Sequence, residues 1–272
     1  MRVGFIGLGS QGAPMARAIV DAGFDTTLWA RRSTSLEPYA DTPAKIADSP
    51  AALAAGSDII CLCVVRDEDV RAVASGPDGV LAGARRGAII VVHSTVAPTT
   101  CHELAEQARA QAVSVIDAPV SGGAPAVEQR RLLVMVGGDK INVERCRPVF
   151  ETYGDPVIHL GPLGAGQTTK ILNNLLYSAN LGSAMSLLEL ATTLGLPRDT
   201  ICEAILRGSA NSKALESLSA FGASPDELAK VAGALLRKDV GLAVEIASAA
   251  RAPQGVVFEA ADAALEGMGH SR

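Results

Sequence analysis

The chain has few aromatic residues, no cluster of basic residues and no cysteine pattern that predicts a cross-link or a metal site. Aromatics make up only 3% of the 272 residues, so alanine and glycine contribute much of the packing. The net charge is −5, and without a basic block neither nucleic acid nor an anionic membrane surface is an expected partner. The five cysteines are an odd number at scattered spacings, which predicts neither disulfides nor metal ligation.

The chain also begins without the charged and then apolar pattern of a secretory signal. Its first residues, MRVGFIGLG, are typical of a strand followed by a glycine turn, so a cytoplasmic protein is expected. Nearly half of the residues are hydrophobic, 48%, which is enough for a sizeable core. The length is typical of two domains.

A glycine-rich segment follows the first predicted strand. Residues 2–6 read as a buried strand, residues 7–12 read GLGSQG, and an alanine-rich helix runs to about residue 22. A GxGxxG pattern between a strand and a helix is the dinucleotide-binding fingerprint. Its glycines allow a tight turn, the approach of a pyrophosphate and close packing of helix on strand, while the helix start binds the phosphates. The sequence therefore predicts a dinucleotide site here.

No acidic residue stands at the end of the second predicted strand, about residues 26–30. An acid at that point usually binds the ribose 2′-hydroxyl of NAD. Here the strand is followed by Arg31 and Arg32, whose guanidinium groups would bind a 2′-phosphate. The sequence therefore favours NADP over NAD as the cofactor.

Strand and helix patterns alternate up to about residue 162, and only helical patterns follow. This alternation predicts an α/β fold with a Rossmann-type, doubly wound, mostly parallel sheet. Ligands of such sheets bind at the carboxyl ends of the strands. We therefore predict an NADP-binding Rossmann domain over residues 1–162. An all-α domain for substrate binding and dimerisation would follow over 163–272, joined to it by a helix of about 28 residues that starts near residue 164.

Several polar residues at these strand ends and on the long helix have two open interpretations. His93 either contacts the cofactor or, as is more common, simply caps the loop that follows it. Ser121-Gly122-Gly123 either forms a small anion nest or is simply a flexible loop. Lys170 and Asn174 lie on one face of the long helix, and the lysine alone would read as a solvated surface charge. Lys238 and Asp239 would by default form an exposed ion pair.

The ordered motifs of the chain resemble those of one enzyme family, the β-hydroxyacid dehydrogenases, which includes 3-hydroxyisobutyrate dehydrogenase. The resemblance covers about residues 2–250, and DAPVSGG combined with GxGxxxKxxNN is its most specific part. The motifs, in chain order, are GFIGLGSQGAPMA, SDIICLCVVRDEDV, HSTVAP, DAPVSGG, LLVMVGG, GAGQTTKILNN and LLRKDVGLA.

The resemblance implies a cofactor site and a substrate site. It implies that Ser121, Gly122 and Gly123 hold the substrate carboxylate, that Lys170 is the catalytic lysine and that Asn174 is its polar partner. A small carboxylate-bearing substrate and a homodimeric or homotetrameric assembly would follow, without a metal. The residues implied in cofactor binding are Gly7, Leu8, Gly9, Gln11, Gly12, Arg31, Arg32, Val64, Val65, Ser94, Thr95 and Lys238.

The chain departs from the family pattern at two places. Arg130 and Arg131 stand where the family usually has Gly-Thr, and the segment 209–235 lacks the usual phenylalanine-rich run. Both departures concern substrate specificity. Three alternatives stay open: an imine reductase-like NADPH enzyme, a non-catalytic NADP-binding sensor or scaffold, and a phosphogluconate dehydrogenase, whose helical domain is much longer. Lys170 counts against the first, because imine reductases typically carry an acid or a tyrosine there. The intact set of Ser121, Lys170 and Asn174 counts against the second.

Overall fold

The protein forms two compact units, Met1–Lys170 and Ile171–Arg272. A computed structural model describes all residues from 1 to 272. The units divide inside the long helix, a few residues after the domain boundary predicted at 162/163. None of the helices is both long and apolar enough to cross a membrane.

A nine-stranded sheet forms the centre of the first unit. From β3 to β6 the strands run in the order β3-β2-β1-β4-β5-β6 and every pair is parallel. Strands β6 and β7 then lie along one edge of β8 in antiparallel register, and β9 pairs with β8 in parallel. The strands are β1 (Arg2–Ile6), β2 (Asp25–Trp29), β3 (Lys45–Ile46), β4 (Ile59–Leu62), β5 (Ile89–Val92), β6 (Ser114–Asp117), β7 (Val120–Ser121), β8 (Leu133–Gly137) and β9 (Val157–Gly161).

Helices cover both faces of this sheet, as expected for buried parallel strands. They are α1 (Gly12–Asp21), α2 (Pro50–Ala55), α3 (Asp67–Ala74), α4 (Val80–Gly83), α5 (Pro98–Arg109), α6 (Gly123–Glu128) and α7 (Lys140–Phe150). Short 3₁₀ turns at Ser33–Ser35 and Glu37–Tyr39 follow β2. The predicted Rossmann-type α/β fold is confirmed.

Two hydrophobic cores form because successive side chains of a strand point to opposite faces. In β4, Ile59 and Cys61 belong to the core that packs on α1 and α7, whereas Ile60 and Leu62 belong to the core that packs on α2 to α5. All five cysteines are unpaired. The two near the end of β4 act as small apolar groups, and burial raises the pKa of Cys63 to about 12.

The long helix α8 (Ala165–Thr193) contains 29 residues, in agreement with the predicted length. At about 1.5 Å per residue it is about 43 Å long. An alanine- and leucine-rich sequence without proline until Pro197 explains why the helix is uninterrupted.

The remainder of the second unit is helical, as predicted. Its further helices are α9 (Arg198–Arg207), α10 (Lys213–Ala220), α11 (Pro225–Leu228), α12 (Ala234–Ala249) and α13 (Val256–Gly267). The sequence did not predict α10, which Ser212 caps by accepting a hydrogen bond from the N–H of Leu215. The sequence of residues 225–250 is typical of a single helix, but the structure has a π-helical stretch at Ala229–Gly233 within it. A Cβ on Gly233 would overlap the imidazole of His270.

Candidate active site

A cavity of about 460 Å³ opens at the carboxyl ends of β1, β2 and β4. Parallel strands place the loops that follow them at the same edge of the sheet, which is why distant parts of the sequence meet there. The cavity is lined mainly by apolar side chains and by the glycine-rich loop. The predicted cofactor residues that line it are Gly7, Leu8, Gly9, Arg31, Arg32, Val64 and Val65.

The three glycines of the loop have different environments. Gly7 has a φ of +101°, and a Cβ on it would overlap the carbonyl of Cys63 at the end of β4. A Cβ on Gly12 would overlap the carbonyl of Gly7 itself. Gly9 has no neighbouring atom within 4 Å of its Cβ position, so its backbone is open to a ligand. The arrangement matches the division of roles expected of a dinucleotide loop.

Gln11 supplies a second sign that this loop receives a ligand. Its Nε2 is buried and has no hydrogen-bond partner in the protein. The first turn of α1 has neither an acidic residue nor a side-chain cap, so the positive end of the helix is not neutralised locally. An orphaned donor and an uncapped helix start together fit the pyrophosphate of a dinucleotide. Gln11 and Gly12 lie in this loop but do not line the cavity.

Arg31 lies opposite an acidic residue that the sequence analysis did not single out. Its Nη1 is 3.7 Å from Oδ1 of Asp69, and 85% of the arginine side chain is exposed. Asp69 also caps its own helix α3, since its Oδ2 accepts a hydrogen bond from the N–H of Arg66 at 3.2 Å. This cap orients the carboxylate, which lines the cavity together with both arginines of the predicted 2′-phosphate site.

The loop after β5 is held from two sides by buried hydrogen bonds. The hydroxyl of Ser94 accepts a hydrogen bond from the N–H of Val64 at 2.9 Å. The side chain of Gln167, fully buried at the start of α8, donates to the carbonyl of Ser94 at 2.7 Å and accepts from the N–H of Val96 at 3.1 Å. Ser94 therefore positions the β4 loop and does not line the cavity, and Thr95 lies between the two clamped residues.

His93 belongs to the core, and its ring does not cap the loop that follows it. Its Nδ1 lies 2.7 Å from the carbonyl of Ala118 and its Nε2 lies 3.3 Å from the hydroxyl of Tyr153. The ring also contacts Phe5 and Phe150. Burial lowers the pKa of this imidazole to about 4, so the ring is neutral near pH 7. A neutral imidazole donates from Nδ1 to the carbonyl and accepts at Nε2 from the hydroxyl.

Asp117, at the end of β6, anchors the start of the long helix. Its two carboxylate oxygens accept hydrogen bonds from the N–H groups of Gly164 and Gln167, each at 2.6 Å. The side chain is completely buried, and this burial raises its pKa while the backbone donors oppose the shift. Asp117 is the first residue of the DAPVSGG motif, but the sequence alone gave no sign that it binds a segment some fifty residues further on.

The predicted substrate loop follows Asp117 closely. Ser121 ends β7 and is half-buried, whereas Gly122 and Gly123 are exposed. Both glycines have positive φ angles, +135° and +70°, which are strained for other residues. Gly122 precedes α6, so the segment combines a hydroxyl with the N–H groups of two glycines.

Lys170 lies in the second turn of α8, three residues after Gln167, and is half-buried. The same helix therefore carries both the residue that clamps the β5 loop and the predicted catalytic lysine. Asn174 follows one turn later, on the same face of the helix.

Within the second unit, Asn174 belongs to a chain of polar side chains. Its Nδ2 donates to Oδ2 of Asp239 at 2.6 Å, and its Oδ1 accepts from Asn173 at 2.9 Å. Nζ of Lys238 lies 2.8 Å from Oδ1 of Asp239. The expectation of an exposed ion pair is wrong, since only 19% of the lysine side chain and 9% of the aspartate side chain are exposed. The role of Asp239 was not predicted, because its neighbour Lys238 alone suggested a surface ion pair.

Two family models together match almost the whole chain. Residues 2–161 match the NAD-binding domain of 6-phosphogluconate dehydrogenase, and residues 164–270 match the NAD-binding domain of NADP-dependent 3-hydroxyisobutyrate dehydrogenase. The chain belongs to the β-hydroxyacid dehydrogenase family. It is thus an oxidoreductase of the NAD(P)-dependent dehydrogenase class, as the sequence resemblance predicted.

Relatives within the family are similar over most of their length. A 2-(hydroxymethyl)glutarate dehydrogenase of Eubacterium barkeri is 34% identical over 254 residues, which are 93% of this chain and 84% of the relative. The Mycobacterium tuberculosis 3-hydroxyisobutyrate dehydrogenase solved with L-serine has a TM-score of 0.83 at 28% identity, over 99% of this chain and 94% of its own. Psf3, solved with NADP+ and 2-OPP, has a TM-score of 0.84 at 26% identity, over 97% of this chain and 92% of its own.

The imine reductases are more distant from this member of the β-hydroxyacid dehydrogenase family. The enzyme from a Pseudomonas species has a TM-score of 0.64 at 16% identity, over 99% of this chain and 95% of its own. At that identity the likeness shows a shared fold alone.

Proposed function

We propose that the protein is an NADP-dependent oxidoreductase that interconverts a small β-hydroxy acid and its semialdehyde or keto form. The observation that carries this proposal is the start of α8. Asp117 and Gln167 tie it to the ends of β6 and β5, at the edge of the sheet where the predicted cofactor loops lie. Lys170 stands on the next turn of that anchored helix.

Lys170 is the proposed general acid and base. The nicotinamide, when bound, supplies or accepts the hydride. In the reducing direction negative charge develops on the carbonyl oxygen of the substrate, and the ammonium group of Lys170 stabilises it and donates a proton. In the oxidising direction the neutral amine accepts the hydroxyl proton as hydride leaves the carbon. Asn174 is the proposed polar partner of Lys170, held in place by its bond to Asp239.

Ser121, Gly122 and Gly123 are the proposed carboxylate site. A hydroxyl and backbone N–H groups are donors suited to a carboxylate. Both glycines have positive φ angles, a backbone conformation that larger residues do not readily adopt. Binding the carboxylate would orient the substrate and fix the position of its reacting carbon.

Arg31 and Arg32 are the proposed determinants of NADP preference. No acidic residue follows β2, and both arginines line the cavity. The orphaned Nε2 of Gln11 and the open backbone of Gly9 support a pyrophosphate in the glycine-rich loop. Lys238 is also proposed to bind the cofactor, on the strength of its match to the family motif.

A stripe of exposed leucines along α8 and at the residue just after it supports the proposed homodimer or homotetramer. Leu172, Leu176, Leu187, Leu190 and Leu194 are between 41% and 67% exposed. At about 100° per residue they fall on one face of the helix. Exposed apolar side chains concentrated on one helix face are typical of a subunit interface. Analytical ultracentrifugation should find an oligomer, and replacing Leu190 and Leu194 with glutamate should yield monomers.

A substrate panel tests the proposed activity. Glyoxylate, succinic semialdehyde, 3-hydroxyisobutyrate, tartronate semialdehyde and threonate would each be assayed with NADP(H) and with NAD(H). We expect turnover of at least one of them, with NADP(H) preferred. Cofactor binding without turnover of any β-hydroxy acid or semialdehyde would refute the proposal and favour a sensor. If a cyclic imine, assayed as a sixth substrate, were the only compound turned over, the imine reductase alternative would be favoured.

A further inference from the structure

Two arginines follow α6, and the first of them has a backbone conformation that arginine does not favour. Arg130 has a φ of +52°, in the left-handed region that favours glycine. Its N–H donates to the carbonyl of Val127 at 2.9 Å, and the N–H of Arg131 donates to Ala126 at 2.8 Å, so this conformation closes the helix. Glycine, which the family usually has at this point, would adopt it without strain. The side chain of Arg130 therefore requires another explanation.

The arginine loop lies next to the proposed carboxylate site. Ser121 pairs with Leu133 across the β7–β8 ladder. A Cβ on Gly122 would lie 3.4 Å from Cδ1 and 3.9 Å from Cα of Leu132. Since consecutive Cα atoms are about 3.8 Å apart, the Cα of Arg131 is within about 8 Å of that point. An extended arginine side chain spans most of this distance.

Neither guanidinium group is neutralised by a neighbour. Arg130 and Arg131 are both exposed, and neither forms an ion pair in the structure. Arg147, in the following helix, shows the contrast, because it forms a 2.9 Å ion pair with Glu144. Two adjacent unpaired cations are a local excess of positive charge in a chain whose net charge is −5. Such a pair attracts an anion from solution.

We infer that Arg130 and Arg131 bind a second anionic group of the substrate, so that the preferred substrate is a β-hydroxy acid or semialdehyde with a second carboxylate. The inference rests on the proposed function, in which Ser121, Gly122 and Gly123 bind the first carboxylate. Guanidinium groups match a carboxylate with two parallel hydrogen bonds. A dicarboxylate would thus be held at both ends, with its reacting carbon between them.

The binding of two simple acids to the NADP-loaded protein tests this inference. Glutarate and pentanoate have the same carbon chain and differ by one carboxylate. Isothermal titration calorimetry should show glutarate binding about tenfold tighter than pentanoate, the effect of one charge-assisted hydrogen-bonded pair. Arg131→Thr should remove most of this preference while leaving the affinity for pentanoate within about twofold.

Three further variants separate charge from backbone conformation. Arg130→Asn removes the charge but keeps a residue that tolerates the left-handed region, whereas Arg130→Gly also relaxes the backbone. Both should lower glutarate affinity by several-fold. Arg251→Gly is the matched control, since Arg251 is also exposed and has a φ of +53°, but lies after α12 in the second unit. It should leave both affinities unchanged.

The possible outcomes distinguish this inference from the proposed function. Equal affinities of the parent for glutarate and pentanoate, or an undiminished glutarate preference in Arg131→Thr and Arg130→Asn, would overturn the second anion site. If a monocarboxylate semialdehyde is nevertheless turned over, the proposed function survives that result. If neither acid binds the loaded protein, both the carboxylate loop and the arginine site are wrong.

Discussion

Acid should destabilise the first unit through His93, because burial lowers the pKa of this imidazole from 6.5 to about 4. The unfolded chain has a histidine with a pKa near 6.5, so above that pH both states are neutral and the stabilisation is fully present. As the pH falls from 6.5 towards 4, the unfolded state takes up a proton that the folded state resists. At about 1.4 kcal/mol per pH unit, this interval removes about 3 kcal/mol of unfolding free energy.

Urea unfolding followed by the fluorescence of Trp29 can isolate this contribution. Trp29 is the only tryptophan and lies in β2, so it reports on the unit that contains His93. The parent and His93→Gln would be compared from about pH 7 to about pH 4.5. Glutamine keeps hydrogen-bonding groups at the site but does not titrate. We expect the variant to be less stable at neutral pH and to lose about 2 to 3 kcal/mol less on acidification.

His102→Gln is the control for the removal of a histidine as such. His102 is exposed in α5, so its replacement removes an imidazole without removing a buried one. The carboxylates contribute equally to the pH dependence of all three proteins. Any difference between the slopes of unfolding free energy against pH therefore comes from the histidines. Identical slopes for the parent and His93→Gln would refute the assignment of a neutral, desolvated imidazole in this core.

Four further changes test the site. Lys170→Ala should lower kcat by about 10²- to 10⁴-fold while NADPH still quenches Trp29, which lines the cavity; near-normal turnover would contradict the acid–base role. Arg31→Asp should weaken NADPH binding about tenfold or more and NADH binding much less, and equal losses would contradict a 2′-phosphate contact. Asp69→Asn keeps the shape of the α3 cap but removes a carboxylate that opposes the phosphate, so it should tighten NADPH binding about threefold, whereas an unchanged affinity would show that Asp69 is too far away. Asp117→Asn should lower the unfolding free energy by about 2 to 4 kcal/mol, since a buried carboxylate that accepts two backbone hydrogen bonds is replaced by an amide; an unchanged denaturation midpoint would exclude the anchoring role.

Two variants serve as controls for these measurements. Glu68→Gln removes a charge from the same first turn of α3 as Asp69, but its side chain does not line the cavity, so the affinity for NADPH should not change. Arg207→Gln removes a surface arginine of α9 whose ion pair with Glu203 is exposed. It should leave kcat, cofactor affinity and stability close to those of the parent.

The sequence predicted the elements that local patterns determine. The strand, glycine-rich loop and helix at residues 2 to 22 are encoded by nearest neighbours along the chain. The same is true of the long helix, whose length follows from its composition. The π-helical stretch at Ala229–Gly233 was not predicted. A local pattern of helical residues does not show that His270, from the end of the chain, packs against Gly233.

The residues that organise the site were harder to predict than those that line it. Gln167 joins Ser94 across seventy-three residues of sequence, and Asp117 joins Gly164 across forty-seven. No periodicity or spacing encodes such pairs. Asp239 was misjudged for a related reason, since its neighbour Lys238 offered an adequate partner and the bond to Asn174 lies sixty-five residues away.

The two anchors at the start of α8 act on different strands, and this explains how the fold orients Lys170. A helix tied to a sheet at a single point could still rotate about its own axis. Asp117 ties the backbone of the first turn to β6, while the side chain of Gln167 ties the same turn to the loop after β5. With both ties the rotation of the helix is fixed. Lys170 lies three residues after Gln167, about 4.5 Å further along the helix axis, so its direction relative to the sheet is fixed as well. If Lys170 is the acid and base, as proposed, its geometry depends on buried residues that need not touch the substrate. A loss of turnover in Asp117→Asn with unchanged cofactor binding would measure that dependence.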